Sequence, residues 1–454
     1  MERRDCLKLL AGAALLPGIG TPAPAEPAQA PNPAPAPADL HLTPEKSVSY
    51  TLTPADDAFL DEMERRACLY FIEQAGPATG QVLDRAANHS NGRLDPRPMA
   101  SIAATGFGLT ALCIADQRGY QPRAQLLEQV RRTLRFHAHT LPNVHGFYYH
   151  FNDVHSGARF RRVEVSSIDT SLLLCGVLTA RAHFHQDAEI HQLATQIYNR
   201  VDWPWMLNGP VNESATFSMG WTPESGFLQA RWKTYCELMM IYLLAIGSPT
   251  HPIPAGCWYA WTRPVIHYGG LSYISGNDPI FTEQYSQAWF DFRHKRDRFA
   301  NYFSNSITAT RAHEAFCLSL GKPYSRDYWG ISASDSAHGY TAWGGPDAKG
   351  HGFGGIDGSV VPNATAGSLP FLPEACLRVQ RSLKAGFGNQ AWGRYGFCDA
   401  FHPEANWYDP DVLGIDLGIS VLMAENLRSG FVWETFSRNP EVSLAMQRVG
   451  FHAA

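Results

Sequence analysis

Charge is scarce in this 454-residue chain: Asp, Glu, Lys and Arg make up 17% of it, against about a quarter in ordinary soluble domains. Lys plus Arg is 37 and Asp plus Glu is 42, for a net charge of −5. No Lys/Arg cluster supplies the electrostatic footprint of a nucleic-acid binder. After the N-terminal segment no uninterrupted apolar run reaches the roughly 18 residues of a membrane-spanning candidate, so a mature soluble protein is expected. No Cys-x-x-Cys occurs, which removes the usual ligands for zinc and dithiol chemistry. A Walker loop, G-x-S-x-G and H-E-x-x-H are all missing. Repeated strand–helix alternation is missing too, which argues against Rossmann and (β/α)8 folds. Gly350, Gly352 and Gly355 satisfy G-x-G-x-x-G, but no strand precedes them and no helix follows, so the match is chance.

The chain opens on an address. Arg3-Arg4, followed by Leu7-Lys8, has the spacing of a twin-arginine export signal. The apolar stretch from Leu9 to Gly20 is broken by Pro17, and Ala23-Pro24-Ala25 offers a cleavage site. Residues 1–25 are therefore expected to be an export signal, 26–45 an Ala/Pro-rich linker, and 46–454 a single catalytic domain, periplasmic or secreted. Nine cysteines, at positions 6, 68, 113, 175, 236, 257, 317, 376 and 398, are scattered singly. Twin-arginine substrates fold before export from a reducing cytoplasm. Cys175 in SLLLCGVL and Cys236 in TYCELMMIYLL accordingly read as small core residues, not disulfide partners.

The dominant periodicity is helical. Helices are expected over Ser101–Gly119, Ile168–Phe184, Trp232–Gly247, Ser304–Gly321, Pro373–Gly386 and Leu417–Leu427, each with polar start or glycine stop signals. Gly146–Phe160 reads as a hairpin turning at Ser156-Gly157. Long loops rich in Gly, Pro and aromatics separate the helices. The fold class expected is all-α, a ring of helical hairpins with few short strands, with loops at one end building a cleft.

Aromatics are 12% of the chain, with 12 Trp, 18 Tyr and 24 Phe. Together with the low charge, they suit a groove for a neutral, flat-faced ligand such as a sugar. The carboxylates in the loops sit beside these rings. Glu164 and Asp169 precede an apolar helix, with Asp169 at a cap or first-turn position. Glu237 lies within the apolar run YCELMMIYLL. A carboxyl buried there is raised in pKa and suits a general acid. Asp335, Asp399, Asp409, Asp411 and Asp416 lie among Trp, Tyr and Gly. Trp221, Trp232, Trp329 and Trp407 are the better sugar-stacking candidates. Two aspartates, Asp409 and Asp411, fall short of calcium's six to eight ligands, and His137/His139 and His183/His185 are poorly spaced for a clamp, so no metal is expected.

Several blocks occur in one order from about Phe59 to Phe436: SIAATGFGLTAL, VEVSSIDTSLLL, GWTPESGF, YCELMMIYLLAIGSPTHP, EQYSQAWFDFR, DGSVVPNATAGSLPF and GFCDAFHPEANWYDPDVLGIDLG. Together they resemble the bacterial glucoamylase-like domain, a group that includes the endo-β-1,2-glucanases of glycoside hydrolase family 144. The resemblance implies an (α/α)6 toroid, hydrolysis of β-1,2-glucan or its oligosaccharides with inversion, and no cofactor or metal. It places Glu237 at the family's general acid. Asp416 and Asp399 are first choices for the base and Asp169 the next. Glu164, Trp221, Trp232, Gln284, Tyr285, Trp329, Asp335, Trp407 and Tyr408 are expected to bind sugar rings.

The chain departs from the pattern at LQARWK, where Arg231 and Lys233 put endo-action in question. The rivals are an exo-acting or transglycosylating enzyme on another β-glucan, a polysaccharide lyase, and a non-catalytic periplasmic glycan-binding protein. The expected partner is a glucan or oligosaccharide, with no nucleic acid, no membrane insertion after signal removal, and a monomeric state.

Overall fold

A computed structural model describes residues 40–43, 50–208, 215–276, 279–346 and 355–454. The export signal, most of the linker and residues 347–354 of the glycine-rich block lie outside them. The described chain is mostly helical. Its helices are α1 (Pro54–Glu73), α2 (Ile102–Arg118), α3 (Arg123–His139), α4 (Ser167–His183), α5 (Ala188–Asn199), α6 (Trp203–Met206) and α7 (Met239–Gly247). They continue with α8 (Phe281–Trp289), α9 (Tyr302–Ser319), α10 (Pro362–Ala366), α11 (Pro373–Ala391), α12 (Gly414–Arg428), α13 (Phe431–Phe436) and α14 (Pro440–Arg448). Short strands pair into two-stranded ribbons. One three-stranded sheet is formed by Val165–Ser166, Gly220–Thr222 and Gly226–Phe227.

Local sequence explains most of the helix ends. Pro54 opens α1 behind a Thr53–Asp56 capping box. Ser101 accepts the Ala104 amide at the start of α2, and Gly119 closes it in the left-handed conformation. Ser166 caps α4 by accepting the Asp169 amide, and its hydroxyl donates to Asp169 Oδ2 at 2.6 Å. Asp169 is therefore a first-turn residue.

The helices are of two kinds. α2, α4, α7, α8 and α12 are buried almost all round, whereas α3, α5 and α11 bury one stripe only. α2 packs against α4 and α12, α3 against α5, α4 against α7, and α12 also against α1 and α8. The last long buried helix thus returns to the first. The α2–α4 contact depends on glycine: a Cβ at Gly176 would stand 2.0 Å from the Gly106 carbonyl oxygen, which no side chain tolerates.

The eight cysteines among the described residues are unpaired and buried, in line with the core reading. His137 is structural: its Nδ1 lies 2.7 Å from the Thr133 carbonyl, and burial lowers its pKa to about 4. No described helix is long and apolar enough to cross a membrane.

One expectation needs correction and another holds over shorter bounds. The helix expected over Trp232–Gly247 begins only at Met239. Arg231–Trp232 is instead a strand paired with Phe217–Ser218, and the Tyr235 amide donates to the Thr262 carbonyl. Glu237 consequently sits in the turn before the helix. The hairpin turning at Ser156-Gly157 is present, with Gly157 at φ +75°: Asn152 bridges Arg159, the Asp153 amide donates to the Ala158 carbonyl and the Phe160 amide to that of Phe151. The other edge of Phe151–Asp153 pairs with Met99–Ser101, and Phe147–Tyr148 pairs instead with Asn143–Val144.

Candidate active site

Strand pairing distant in sequence assembles the site. Arg85–Ala87 pairs with Asp411–Leu413, and Phe401–His402 pairs with Trp407–Tyr408. The Asp399 amide donates to the Asp411 carbonyl, and the Gly414 amide to that of Asp84. Asp335 lies just after Ala333–Ser334, a strand of the ribbon with Thr341–Ala342. These connections gather Asp84, Arg85, Asp335, Asp399, Asp409 and Asp416 at one end of the helices. Asp84, Arg85, Asp335 and Asp409 border a cleft of about 410 Å³ whose rings are Phe151, Phe160, Tyr340 and Trp407, while Asp399 and Asp416 border a smaller neighbouring pocket.

The carboxyl cluster is crowded. Oxygens of Asp335, Asp399 and Asp409 lie within 4.8 Å of one another. Arg85 donates to Asp335 Oδ2 at 2.5 Å and to Asp84 Oδ2 at 3.3 Å. The Asp335 amide donates to Asp399 Oδ2 at 2.7 Å. The Asp416 carboxyl stands against that of Asp399, a juxtaposition that favours keeping a proton on one of the two. Burial first, then the charges of Asp416 and Asp335, hold Asp399 well above the usual carboxylate range. Burial and the charge of Asp335 push Asp409 up to about 8. Asp411 is a different case, gripped by both Arg97 guanidinium nitrogens at 2.5 and 2.9 Å.

A second group lies next to Phe151. His150 Nδ1 stands 3.2 Å from Glu164 Oε1, and its Nε2 is 3.5 Å from Asp169 Oδ1. The imidazole thus bridges the two sequence-selected carboxylates, and its ring stacks on Phe151 at 3.9 Å. Trp232 is buried and donates from Nε1 to Ser167 Oγ at 2.8 Å. That bond ties the strand leading to Glu237 to the first turn of α4, where Asp169 sits.

Glu237 is 6% exposed. Its carbonyl accepts the Ser286 hydroxyl at 2.6 Å, and the same hydroxyl oxygen accepts the Met240 amide at 3.0 Å. One turn back on α8, Glu283 Oε2 accepts Tyr235 OH and Ser306 Oγ, each at 2.7 Å. Burial lifts the Glu283 carboxyl to about 7.

Residues 229–440 match the family model Glycoamylase, described as "Putative glucoamylase". That match spans just under half of the chain. An exo β-1,2-glucooligosaccharide sophorohydrolase (non-reducing end) of Parabacteroides distasonis is 26% identical over 446 residues, 89% of this chain. The alignment reaches 59% of that relative's own length. The solved structure of a "putative glucoamylase" from Bacteroides uniformis superposes with a TM-score of 0.80 at 27% identity, covering 89% of this chain and 99% of the other. An endo-β-1,2-glucanase from Chitinophaga pinensis, in complex with sophorotriose and glucose, gives a TM-score of 0.77 at 26% identity, with coverages of 89% and 99%. Each of these names is that of a glycoside hydrolase.

The sequence-selected residues separate in the structure. Asp335 and Trp407 line the cleft, and Asp399 and Asp416 stand against each other beside it. Tyr408 is half-buried and stacks on Phe401 at 5.5 Å. Trp221 is half-buried beside Trp205. Gln284, Tyr285 and Trp329 are corrections, because all three are interior. Gln284 Nε2 donates to the Ala364 carbonyl and to Ser368 Oγ. Tyr285 packs on Phe107 and Phe281, and Trp329 near His313. Arg231, singled out as a departure, is buried and donates to the carbonyls of Asn208, Leu207 and Thr216, so it braces a loop. Sequence reasoning passed over Arg85, His150 and Glu283. Arg85 gave no local signal, since strand pairing brings it to the cluster. His150 stood between aromatics in YYHF, and Glu283 was a carboxylate in an aromatic helix; both were readable by the argument applied to Glu237.

Proposed function

We propose that this chain is a glycoside hydrolase that cleaves β-1,2-linked glucan or its oligosaccharides by an inverting acid/base mechanism. The observation that carries the proposal is the cleft itself. Asp335 and Asp409, the latter raised in pKa by burial, stand beside aromatic faces in a cavity large enough for sugar rings, with Asp399 hydrogen-bonded to the Asp335 amide next to them. The names of the relatives supply the linkage. The presence of both fully buried and one-sided helices, with α12 returning to α2, supports an (α/α)6 toroid.

Glu237 is proposed to protonate the leaving glycosidic oxygen, directly or through a substrate hydroxyl. The base is drawn from Asp416, Asp399 and Asp169. The Asp399–Asp416 pair fits this role because two touching carboxyls sharing one proton keep one charge with which to activate water. Asp335, Trp407, Tyr408, Glu164, Trp221 and Trp232 are proposed to form or support the sugar subsites. No cofactor or metal takes part in the proposal, and the protein is proposed to act as an exported monomer.

The second reading is exo-action releasing a disaccharide, favoured by the similarity to the Parabacteroides sophorohydrolase. A product profile on linear β-1,2-glucan tests both, with β-1,3-glucan, β-1,4-glucan and starch as controls and anomers followed by NMR. A ladder of α-anomeric β-1,2-oligosaccharides supports endo-action. Sophorose alone from the first minutes supports the exo reading. A β-anomeric product sinks inversion, and no cleavage of any of the four sinks the substrate assignment.

A further inference from the structure

We infer that the small pocket bordered by the Asp399–Asp416 pair is a built water-binding site, with Asn363 and Gln380 as its amide ligands, and that its water solvates the charge the pair carries. The inference rests on the pair's place in the proposed mechanism, but its test does not need turnover.

The cavity measures about 30 Å³ and is bordered by Asn363, Gln380, Tyr395, Asp399, Asp416 and Ser420, among apolar neighbours. That exceeds the roughly 10–15 Å³ that one water requires. Its polar lining is underused by the protein. Asn363 is 5% exposed, and neither its Oδ1 nor its Nδ2 has a partner among the described residues. Gln380 is fully buried. Its Nε2 donates to the Pro362 carbonyl at 2.7 Å and to Thr365 Oγ1 at 2.8 Å, while its Oε1 has no partner among the described residues. Buried amide atoms are paired as a rule, and those that find no protein partner are met by ordered water with two to four ligands. Asn363 can donate and accept, Gln380 can accept, and the carboxyl pair can accept from the same molecule.

The electrostatics give this water work to do. Among the described residues no Lys, Arg or His borders the cavity. Asp335, Asp409 and Arg85 act on the pair from the cleft side, and Tyr395 and Cys398 border it on the cavity side. A bound water dipole stabilises the ionised carboxyl from the cavity side.

Two measurements test this. A crystal structure of the intact mature protein near about 1.3 Å resolution should show ordered water within hydrogen-bonding distance of Asn363, Gln380 and a carboxylate. Infrared titration of the carboxyl band, with Asp399→Asn assigning the pair, should show ionisation of the pair moving up by about one pH unit in Asn363→Leu. It should stay near wild type in Asn363→Ser, which leaves room and a hydroxyl for the water. A dry wild-type cavity, or an unchanged carboxyl titration in Asn363→Leu, overturns the inference. If Asn363→Leu does not fold, the wild-type crystal structure decides alone. Full activity in both Asp399→Asn and Asp416→Asn would overturn the catalytic reading of the pair and leave the water site to be judged by these two results.

Discussion

At the scale of single residues, protonation state is the quantity the site controls. Glu237 is nearly buried and held through its own carbonyl by Ser286, so Glu237→Gln changes the proton and little else. A general acid contributes about 10²- to 10⁴-fold, and turnover of β-1,2-glucan should fall by that factor with an unchanged thermal midpoint. Activity within about threefold of wild type would remove Glu237 from the mechanism. Asp409 makes a separate prediction about stability. Its pKa is about 8 in the folded chain against an ordinary 3.8. Between those values the folded state holds a proton that the unfolded state has lost, so stability falls as pH rises from about 4 to about 8. Asp409→Asn keeps an acceptor for the Asp411 amide and removes the titration. The variant's thermal midpoint, relative to wild type, should climb across that window and level off above it. A constant offset from pH 4 to 8 would refute the assignment.

At the scale of elements, one arginine fastens α12, the last long helix, to α1. Arg428, at the last turn of α12, is 3% exposed. It pairs with Asp57, Asp61 and Glu64 of α1 and donates to Tyr120 OH. Next to it, Arg118 of α2 pairs with buried Glu425. Glu64 is fully buried, and burial first, then the charge of Glu425, holds its pKa well above the usual range. Removing the guanidinium strands that carboxyl. Arg428→Met should therefore cost about 3–5 kcal/mol in urea unfolding. Adding Glu64→Gln should recover part of the loss. A double variant as unstable as the single one would show that the uncompensated charge is not the cause.

At the scale of the whole molecule, the arrangement separates support from chemistry. Helices buried on all sides hold the frame, and the loops at one end carry the carboxyls and rings. Destination is a property of the intact chain as well. The Arg3-Arg4 pair is proposed to direct export of the folded protein, so replacing both with Lys should retain it in the cytoplasm, as read by cell fractionation and N-terminal sequencing of the periplasmic product. Export of the doubly substituted chain at the wild-type level would exclude the twin-arginine route.

Much of this was written locally. Caps at Ser101, Ser166 and Gly119, and the all-apolar stretches of α4 and α7, follow from side-chain chemistry within one or two turns, so helix positions and the core cysteines were legible. So was the run of loop aspartates from Asp335 to Asp416, because carboxylates among aromatics stand out wherever they occur. What a local pattern does not contain is which residues meet. Glu237 left the helix because a strand pairing with residues 217–218 claimed the segment before it. Gln284, Tyr285 and Trp329 shared the composition of sugar-binding residues, yet packing turned them inward. Arg85 joined Asp335 and Asp399 only through the pairing of its strand with residues 411–413. Proton affinity was decided at the same level, since burial and neighbouring charge act over a few ångströms of space, without regard to separation along the chain.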